Sequence, residues 1–492
     1  MPNTANFLYG FEVKGIQRYI FHSNKLKDIA GASALIESIS TTLADQFIQD
    51  NNLPEVEFVR RAAGSIWLYA DYNTCKKWTL SFPLYVQQHV PNIDMVQAVV
   101  PASTSLANDI SNLWDRLQAQ SGQGFFIPSV GYMGIERIRL TGELAYYSDR
   151  GNPMEKSGRP TQAKQKQEEQ NRVRFYAKFT GLQSINPDKI PRNTEHLTPK
   201  AATSSKSSDK SWIALIYIDG NNMGKLFQRL AEKAQRPSDY FSFSEKIKHI
   251  TVTAANEASQ TLHQLAADAD YYPLRPIILG GDDVTVLTRA DLALQFVQTF
   301  IQTFERQSKE VLREYHAQLG FNHLTACGGI AFIKAHYPFF YAIELAGALT
   351  KEAKQRAKHV NNSQTPSALS LYRVLSSFVE PLDQMKKRTH CDIHNQPIFD
   401  ASPYFIHHAN TSGRDLHTLM QTVQTLQALD QSHQGGANKL RQLLQYYKSE
   451  PHKANLFLNR LKQVNPILYK IVQDVNDNRG LLYDAFQIYS LT

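Results

Sequence analysis

Two short runs hold the acidic residues best placed to do chemistry. In IYIDGNNMG (216–224) an apolar stretch ends at Asp219 and passes through Gly220 into a helix start at Asn221 or Asn222. In ILGGDDVTVL (278–287) Gly280 and Gly281 precede Asp282 and Asp283 between two apolar runs, the pattern of a tight hairpin with its acids at the tip. Glycine permits the positive φ such a turn calls for, and its missing side chain lets a phosphate approach the backbone. Three carboxylates packed together raise one another's pKa and lose solvation, a cost that a divalent cation removes. Hard oxygen ligands on loops suit Mg²⁺ or Mn²⁺, and two such ions activate a 3′-hydroxyl and stabilise the pyrophosphate that leaves an α-phosphate. Asp219, Asp282 and Asp283, with the Gly220 carbonyl, are therefore the metal candidates. Each run alone is weak, since Gly-Gly-Asp turns occur in ordinary hairpins and an Asp before a helix is usually an N-cap. Their combination points to nucleotidyl transfer, the chemistry of polymerases and nucleotide cyclases.

A third segment, ELAGALTKEAKQRAK (344–358), reads as a helix on which Lys351, Lys354 and Lys358 recur at spacings of three and four. Ammonium groups are compact point charges suited to triphosphate oxygens. Lys354, flanked by Ala353 and Ala357, is the central candidate, with Lys358 beside it; a solvated basic face has the same pattern. Asn221, Asn222 and Gly224 at the helix start, and Gly280 and Gly281 in the hairpin, complete the nucleotide-binding candidates of this half.

For the carboxylates to meet, the runs must end neighbouring strands. WIALIYID (212–219), helical sequence to about Ala267, PLRPIIL and VTVLT around the hairpin, a helix over about 290–317, the strand HLTACGGIAFI (323–333) and a helix over about 339–359 give the order β-α-β-β-α-β. The same order appears earlier, with NFLYGFEV (6–13), helical sequence from Gly15 to about Asp50, VEFVRRAA and SIWLYADY meeting at Gly64, another helix, and MVQAVVPA (95–102). The expectation is an α+β chain: two ferredoxin-like palm domains, each an antiparallel sheet with helices on one face, plus a C-terminal all-helical domain. The first palm spans residues 1–145, a polar linker or insert 146–211, the second palm 212–361 and the helical domain 362–492. Residues 151–172 and 186–211 are Lys-, Ser- and Pro-rich and read as exposed or mobile segments around a short ordered piece, VRFYAKFTGL. DLHTLMQTVQTLQAL, NKLRQLLQYY, NLFLNRLKQV and PILYKIVQDV carry helical periodicity.

The first palm's hairpin, AAGSIW (62–67), has no acidic pair, so that half is expected to shape the pocket, with Gly64, Ser65 and the loop near Lys14 bordering an acceptor nucleotide. A net charge of +8 suits a polyanionic ligand without choosing among nucleotide, RNA and RNA-bearing complexes. Three cysteines in 492 residues exclude a disulfide framework, and the opening residues carry no secretory signal, so a cytoplasmic protein without a membrane role is expected. In HCDIHNQPIF (390–399), His390, Cys391 and His394 have some zinc-ligand character, but only His407 and His408 lie nearby and a surface loop is the simpler reading.

The segment YGFEVKGIQRYIFHSNKLKDIAGASALIE (9–37) resembles the start of the first palm in the polymerase-like large subunit of type III CRISPR complexes. It has Gly15, Ile16 and Gln17, then Tyr19 and Phe21, then Gly31, Ala32 and Ser33 in that family's order. The second palm, with DGNNMG and GGDD, is similar to the same family's active palm, and the resemblance covers about 7–140 and 212–375. It implies conversion of ATP into cyclic oligoadenylate second messengers in antiviral defence, with Asp219 as first-strand ligand and Asp282 and Asp283 as hairpin ligands of two ions. RNA and complex subunits are the partners it implies, or none for a stand-alone relative, with one nucleotide pocket within a single chain. Three features depart from the family: Asn221 stands where a second Asp is common, no nuclease domain with a His-Asp pair precedes the first palm, and no Cys-rich zinc insertion is present. DNA cleavage is accordingly not expected. The alternatives are a scaffold subunit of an RNA-guided complex and a cyclic dinucleotide synthase, whose GGDD hairpin is similar.

Overall fold

The computed structural model describes residues 7–121, 134, 136–138, 142–145, 158–198, 211–234, 236–361, 364–375, 380–407, 414–431, 436–475 and 478–491. The first half contains β1 (Phe7–Lys14), α1 (Ile16–Ile20), α2 (Leu26–Ser40), α3 (Thr42–Asp50), β2 (Glu57–Ala62), β3 (Ser65–Ala70), α4 (Tyr72–His89), β4 (Asp94–Pro101), α5 (Leu106–Ser121) and α6 (Arg159–Thr180). The second contains β5 (Trp212–Gly220), α7 (Met223–Lys233), α8 (Pro237–Leu265), β6 (Leu274–Leu279), β7 (Val284–Arg289), α9 (Ala293–Val311), α10 (His316–Leu319), β8 (Ala326–Lys334) and α11 (Phe339–Val360). Then follow β9 (Ala368–Arg373), α12 (Leu382–His390), β10 (Tyr404–Phe405), α13 (Leu416–Gln431), α14 (Ala437–Ser449), α15 (Pro451–Val464), α16 (Pro466–Asp474) and α17 (Arg479–Tyr489).

The fold is α+β, with two palm sheets and a helical C-terminal region. The first sheet runs β2-β3-β1-β4 and the second β10-β9-β8-β5-β7-β6. In each, the opening strand is central and pairs antiparallel with the third and fourth strands of the motif. Strand alternation sorts β5 into two faces: Ala214, Ile216 and Ile218 pack with Phe243 of α8 and Phe296 of α9, while Ile213 and Leu215 pack with Ile343 and Leu349 of α11. The expectation of helices on one face thus holds for those within the motif but not for α11, which covers the opposite face. In the first palm α5 takes the corresponding place, its Leu113 and Leu117 joining Leu8 on the face away from α2 and α4.

The palms contact each other reciprocally: α8 of the second lies on edge strand β2 of the first, and α2 of the first lies on edge strand β6 of the second. Apolar side chains from both halves share the same buried clusters.

Two further expectations are corrected. Residues 159–172, read as exposed or mobile, form one continuous helix with the VRFYAKFTGL piece. Pro160 sits in its first turn, where the missing N–H costs nothing, and Gly181 closes it with φ 67°. Its composition is polar but built from good helix formers, and its buried charges have partners: Glu168 accepts from Arg275 at 2.8 Å, both buried, and Lys164 Nζ donates to the Tyr19 carbonyl at 3.0 Å. The helix packs on α2 and α8, one from each palm. The chain beyond 361 is also not helical throughout, because β9 joins β8 in parallel and β10 pairs with β9. A buried parallel strand reads as a short apolar run without alternation, and ALSLYR was indistinguishable from a helical segment on that ground. No helix among the described residues is long and apolar enough to cross a membrane.

Candidate functional site

Pairing of Ile218 with Val284 brings the end of β5 beside the start of β7, so Asp219 meets the loop carrying Asp282 and Asp283. Ligand oxygens of the three carboxylates lie within 4.8 Å of one another, all three residues being half-buried. Gly220 makes this approach possible, since a Cβ there would stand 2.9 Å from both Asp282 Oδ2 and Met223 Cγ. The Gly280 N–H donates to the Asp283 carbonyl at 2.8 Å, and Thr251 Oγ1 of α8 donates to the Gly281 carbonyl at 2.7 Å. Neither hairpin glycine has positive φ, contrary to the sequence expectation. Their role is room: the nearest atom to a Cβ at Gly280 is 3.5 Å away, and none lies within 4 Å at Gly281.

Burial, then the Asp219 charge, pushes Asp282 up to about 6, opposed by Lys354 and Arg60. Burial and the Asp282 and Asp219 charges push Asp283 well above the carboxylate range. A cluster that resists its own ionisation and presents only hard oxygens fits a divalent cation of the Mg²⁺ or Mn²⁺ kind.

Lys354 is delivered by helix packing. Gly329 on β8 lets α11 approach until a Cβ there would lie 2.2 Å from the Ala346 carbonyl. At that separation Thr350 Oγ1 donates to the Tyr217 carbonyl at 3.1 Å. One turn on, Lys354 Nζ forms an ion pair with Asp219 and donates to the Gly220 carbonyl at 2.7 Å. Lys351 and Lys358 are exposed. Replacing Lys354 by Ala is expected to raise the KM for ATP about tenfold while the helix is retained, since Ala is the best helix former. It also leaves Asp219 without its cation, so melting in chelator should fall and recover with added Mg²⁺. An unchanged KM moves the phosphate role to Lys351 or Lys358.

The remaining candidates separate. Asn221 is buried and turned to β8: its N–H donates to the Thr325 carbonyl at 2.8 Å and its Nδ2 to Thr325 Oγ1 at 3.1 Å. Asn222 adopts φ 58° before α7 and donates to Thr365 Oγ1 at 3.2 Å. Both hold the strand exit in shape. Gly224 is exposed in the first turn of α7. Gly64, at φ 74°, faces Val13 and Ile36 inside the first palm, and Ser65 is buried in β3 opposite Glu12. Lys14 is paired with Glu12 at 2.8 Å.

Asp282 and Asp283 border a cavity of about 260 Å³ between the palms, which Asp219 does not itself line and to which the first palm contributes Ile16, Gln17, Arg60, Ala62 and Ala63, in place of Gly64 and Ser65. From the second palm Tyr217, Phe227, Tyr240 and Ser244 join Gly280, Gly281, Asp282 and Asp283. A smaller cavity of about 70 Å³ shares Ile16, Ala62, Ala63, Gly280 and Gly281 and extends along α2 past Ser33 and Ser40. The aromatic wall and Arg60 were missed by sequence reading; the Arg60-Arg61 pair just before the first hairpin was the available signal.

His390 is buried, 5.7 Å from the Tyr372 ring and 5.1 Å from Tyr483, and burial lowers its pKa to about 3. Cys391 is buried and bridged to Pro397, His394 is exposed, His407 pairs with Glu305 at 3.3 Å, and His408 lies outside the described residues. Among the described residues the three aspartates form the one cluster able to hold a metal.

Residues 212–362 match the family described as Cas10/Cmr2, second palm domain. In fold the chain is similar to a Csm1–Csm4 cassette in complex with cA3, at 12% identity and TM-score 0.56, over 100% of this chain and 70% of that one. It is similar to a Csm1–Csm4 cassette in complex with one ATP, at 13% identity and TM-score 0.55, over 99% and 70%. Csm1 of T. onnurineus gives 13% identity and TM-score 0.56, over 99% and 70%. No curated protein matches by sequence.

Proposed function

We propose that this chain, a Cas10-like palm-domain protein, is a metal-dependent nucleotidyltransferase that joins ATP into cyclic oligoadenylate second messengers in antiviral defence. The observation that carries the reading is the convergence of Asp219, Asp282 and Asp283 in one cluster, of which Asp282 and Asp283 line a cavity built by both palms. Solved relatives of the same fold hold ATP and cA3, which supports adenine nucleotides as substrate.

Asp219, Asp282 and Asp283 would hold two Mg²⁺ or Mn²⁺ ions, which when bound acidify an acceptor 3′-hydroxyl and stabilise departing pyrophosphate. The chain's own groups do the rest. Gly280 and Gly281 leave open space for a triphosphate, and Lys354 supplies a cation at its edge. Tyr217, Phe227 and Tyr240 offer an aromatic wall for a base, in a cavity whose lining both palms supply. Ile16, Gln17, Ala62 and Ala63 border the second nucleotide, which places its hydroxyl against the donor's α-phosphate. Holding both reactants in one cavity removes much of the entropic barrier to joining them. The new O–P bond forms as the bond to pyrophosphate breaks, and the proton of the 3′-hydroxyl is released to solvent.

A Csm4-like subunit and RNA are proposed partners, on the related cassettes and the net charge of +8. The test is incubation of the purified protein with each NTP and Mg²⁺ or Mn²⁺, with and without RNA and such a subunit, followed by mass spectrometry. Cyclic products from ATP are expected. A two-nucleotide ring would reassign the protein as a cyclic dinucleotide synthase, and no product in any arm would leave it a scaffold subunit.

A further inference from the structure

We propose that Arg60 of the first palm grips a phosphate of the acceptor nucleotide, so that the carboxylates of the second palm work only with the first palm in place. The inference deepens the nucleotidyltransferase reading and rests on it.

Two arginines stand side by side on β2, and the fold uses them differently. Arg61 is fully engaged: it pairs with Asp45 at 2.6 Å, and its Nε and Nη2 donate to the Ser40 and Thr41 carbonyls at 2.6 and 2.7 Å. Arg60 has no carboxylate partner among the described residues. Its guanidinium lies 5.4 Å from the centre of the Trp67 ring, and the side chain lines the same cavity as Asp282 and Asp283. The strand is shaped for this. Phe58 pairs with Leu68 and Arg60 with Trp67, so Val59 is an extra residue, fully buried, and such a bulge re-aims the side chain that follows it. Because β2 lies on α8, Arg60 shares its stretch of wall with Tyr240, Ser244 and Ile247.

A half-buried guanidinium resting on an aromatic ring without an anion is under-compensated. A phosphate satisfies the fork of donors in two parallel hydrogen bonds, which a lysine cannot reproduce. The donor triphosphate has Lys354 on the β5–α11 side. Arg60 enters from the opposite palm, where the second nucleotide must lie for its 3′-hydroxyl to meet the donor.

The test compares Arg60→Met, which keeps the aliphatic contact with Trp67, and Arg60→Lys with wild type. Calorimetry with a non-hydrolysable ATP analogue and Mg²⁺ is read beside product formation and melting temperature. The expected result is two binding events in wild type, the weaker one lost or weakened roughly ten- to one-hundredfold in Arg60→Met and partly restored in Arg60→Lys. The tighter event stays unchanged, and product formation falls in parallel and recovers at high ATP. Binding and synthesis equal to wild type in a well-folded Arg60→Met would overturn the proposal, as would a single wild-type event that Arg60→Met leaves untouched. Should Arg60→Met melt early, Arg60→Lys decides: a weakened second event supports the grip and an unaltered one removes it. A wild type that makes no product fails the nucleotidyltransferase reading, whereas the calorimetry still decides Arg60.

Discussion

Replacing Asp282 and Asp283 together by Asn should lower nucleotide product by roughly a thousandfold or more, since in the proposed reaction their charge would hold the ions that supply several kcal/mol of transition-state stabilisation. The same variant is expected to melt higher than wild type in chelator. Both carboxyls have folded pKa values above their unfolded ones, Asp282 at about 6 and Asp283 well above the usual carboxylate range. For a carboxyl whose pKa is raised by folding, stability is fully present below the unfolded pKa of about 4 and is lost as pH rises through the folded value. Metal-free wild type should therefore lose stability from about pH 4 through pH 6 as Asp282 ionises, and Asp283, raised in the same direction, adds to the loss. In the Asn variant that slope flattens, and Mg²⁺ no longer raises the melting temperature. Melting curves across pH with and without metal, read beside mass spectrometry of the products, check both halves. Wild-type synthesis by the double variant would remove these residues from the chemistry.

The Gly329→Ala substitution should cost about 3 kcal/mol and take most of the activity with it. Its Cβ would stand 2.2 Å from the Ala346 carbonyl and 2.8 Å from the Thr350 N, backbone atoms that can yield only by moving α11. That shift pulls Thr350 from the Tyr217 carbonyl and carries Lys354 away from Asp219. A fall in melting temperature of roughly 5–10 °C is expected. Gly328→Ala is the control, because its Cβ meets Leu369 at 3.4 Å and other atoms beyond that, an ordinary contact on the other face of β8. Equal melting and activity for the two variants would show that the close approach of α11 does not position Lys354.

Asp219, Asp282 and Asp283 were legible because acids at the ends of apolar strands stand out against their surroundings, and the repeated β-α-β-β-α-β order makes those strand ends neighbours. Lys354 was legible as one member of a basic run. Which lysine of the three reaches the acids depended on the distance between α11 and β8, and the glycine that sets it looks like any other in CGGIAF. Asn221 and Asn222 illustrate the opposite case: they sit beside the acids in sequence, yet the backbone turns at Asn222, and their amides go to Thr325 and Thr365, more than a hundred residues away.

The amino-acid sequence by itself determined the two palms, the identity of the acidic half and the absence of an acidic pair in the other, because strand periodicity and turn composition are local properties. The tertiary structure alone decided three matters: that α6 is ordered, that Arg60 and an aromatic wall share the cavity with Asp282 and Asp283, and that Gly64 and Ser65 do not line it. The physical reason is common to all three. Charges such as Glu168 and Arg275 become tolerable in the interior only through partners brought together by packing. Likewise, whether Arg60 or Arg61 is left for a ligand depends on Asp45, Ser40 and Thr41, which reach Arg61 only once α2 and α3 have packed on the sheet.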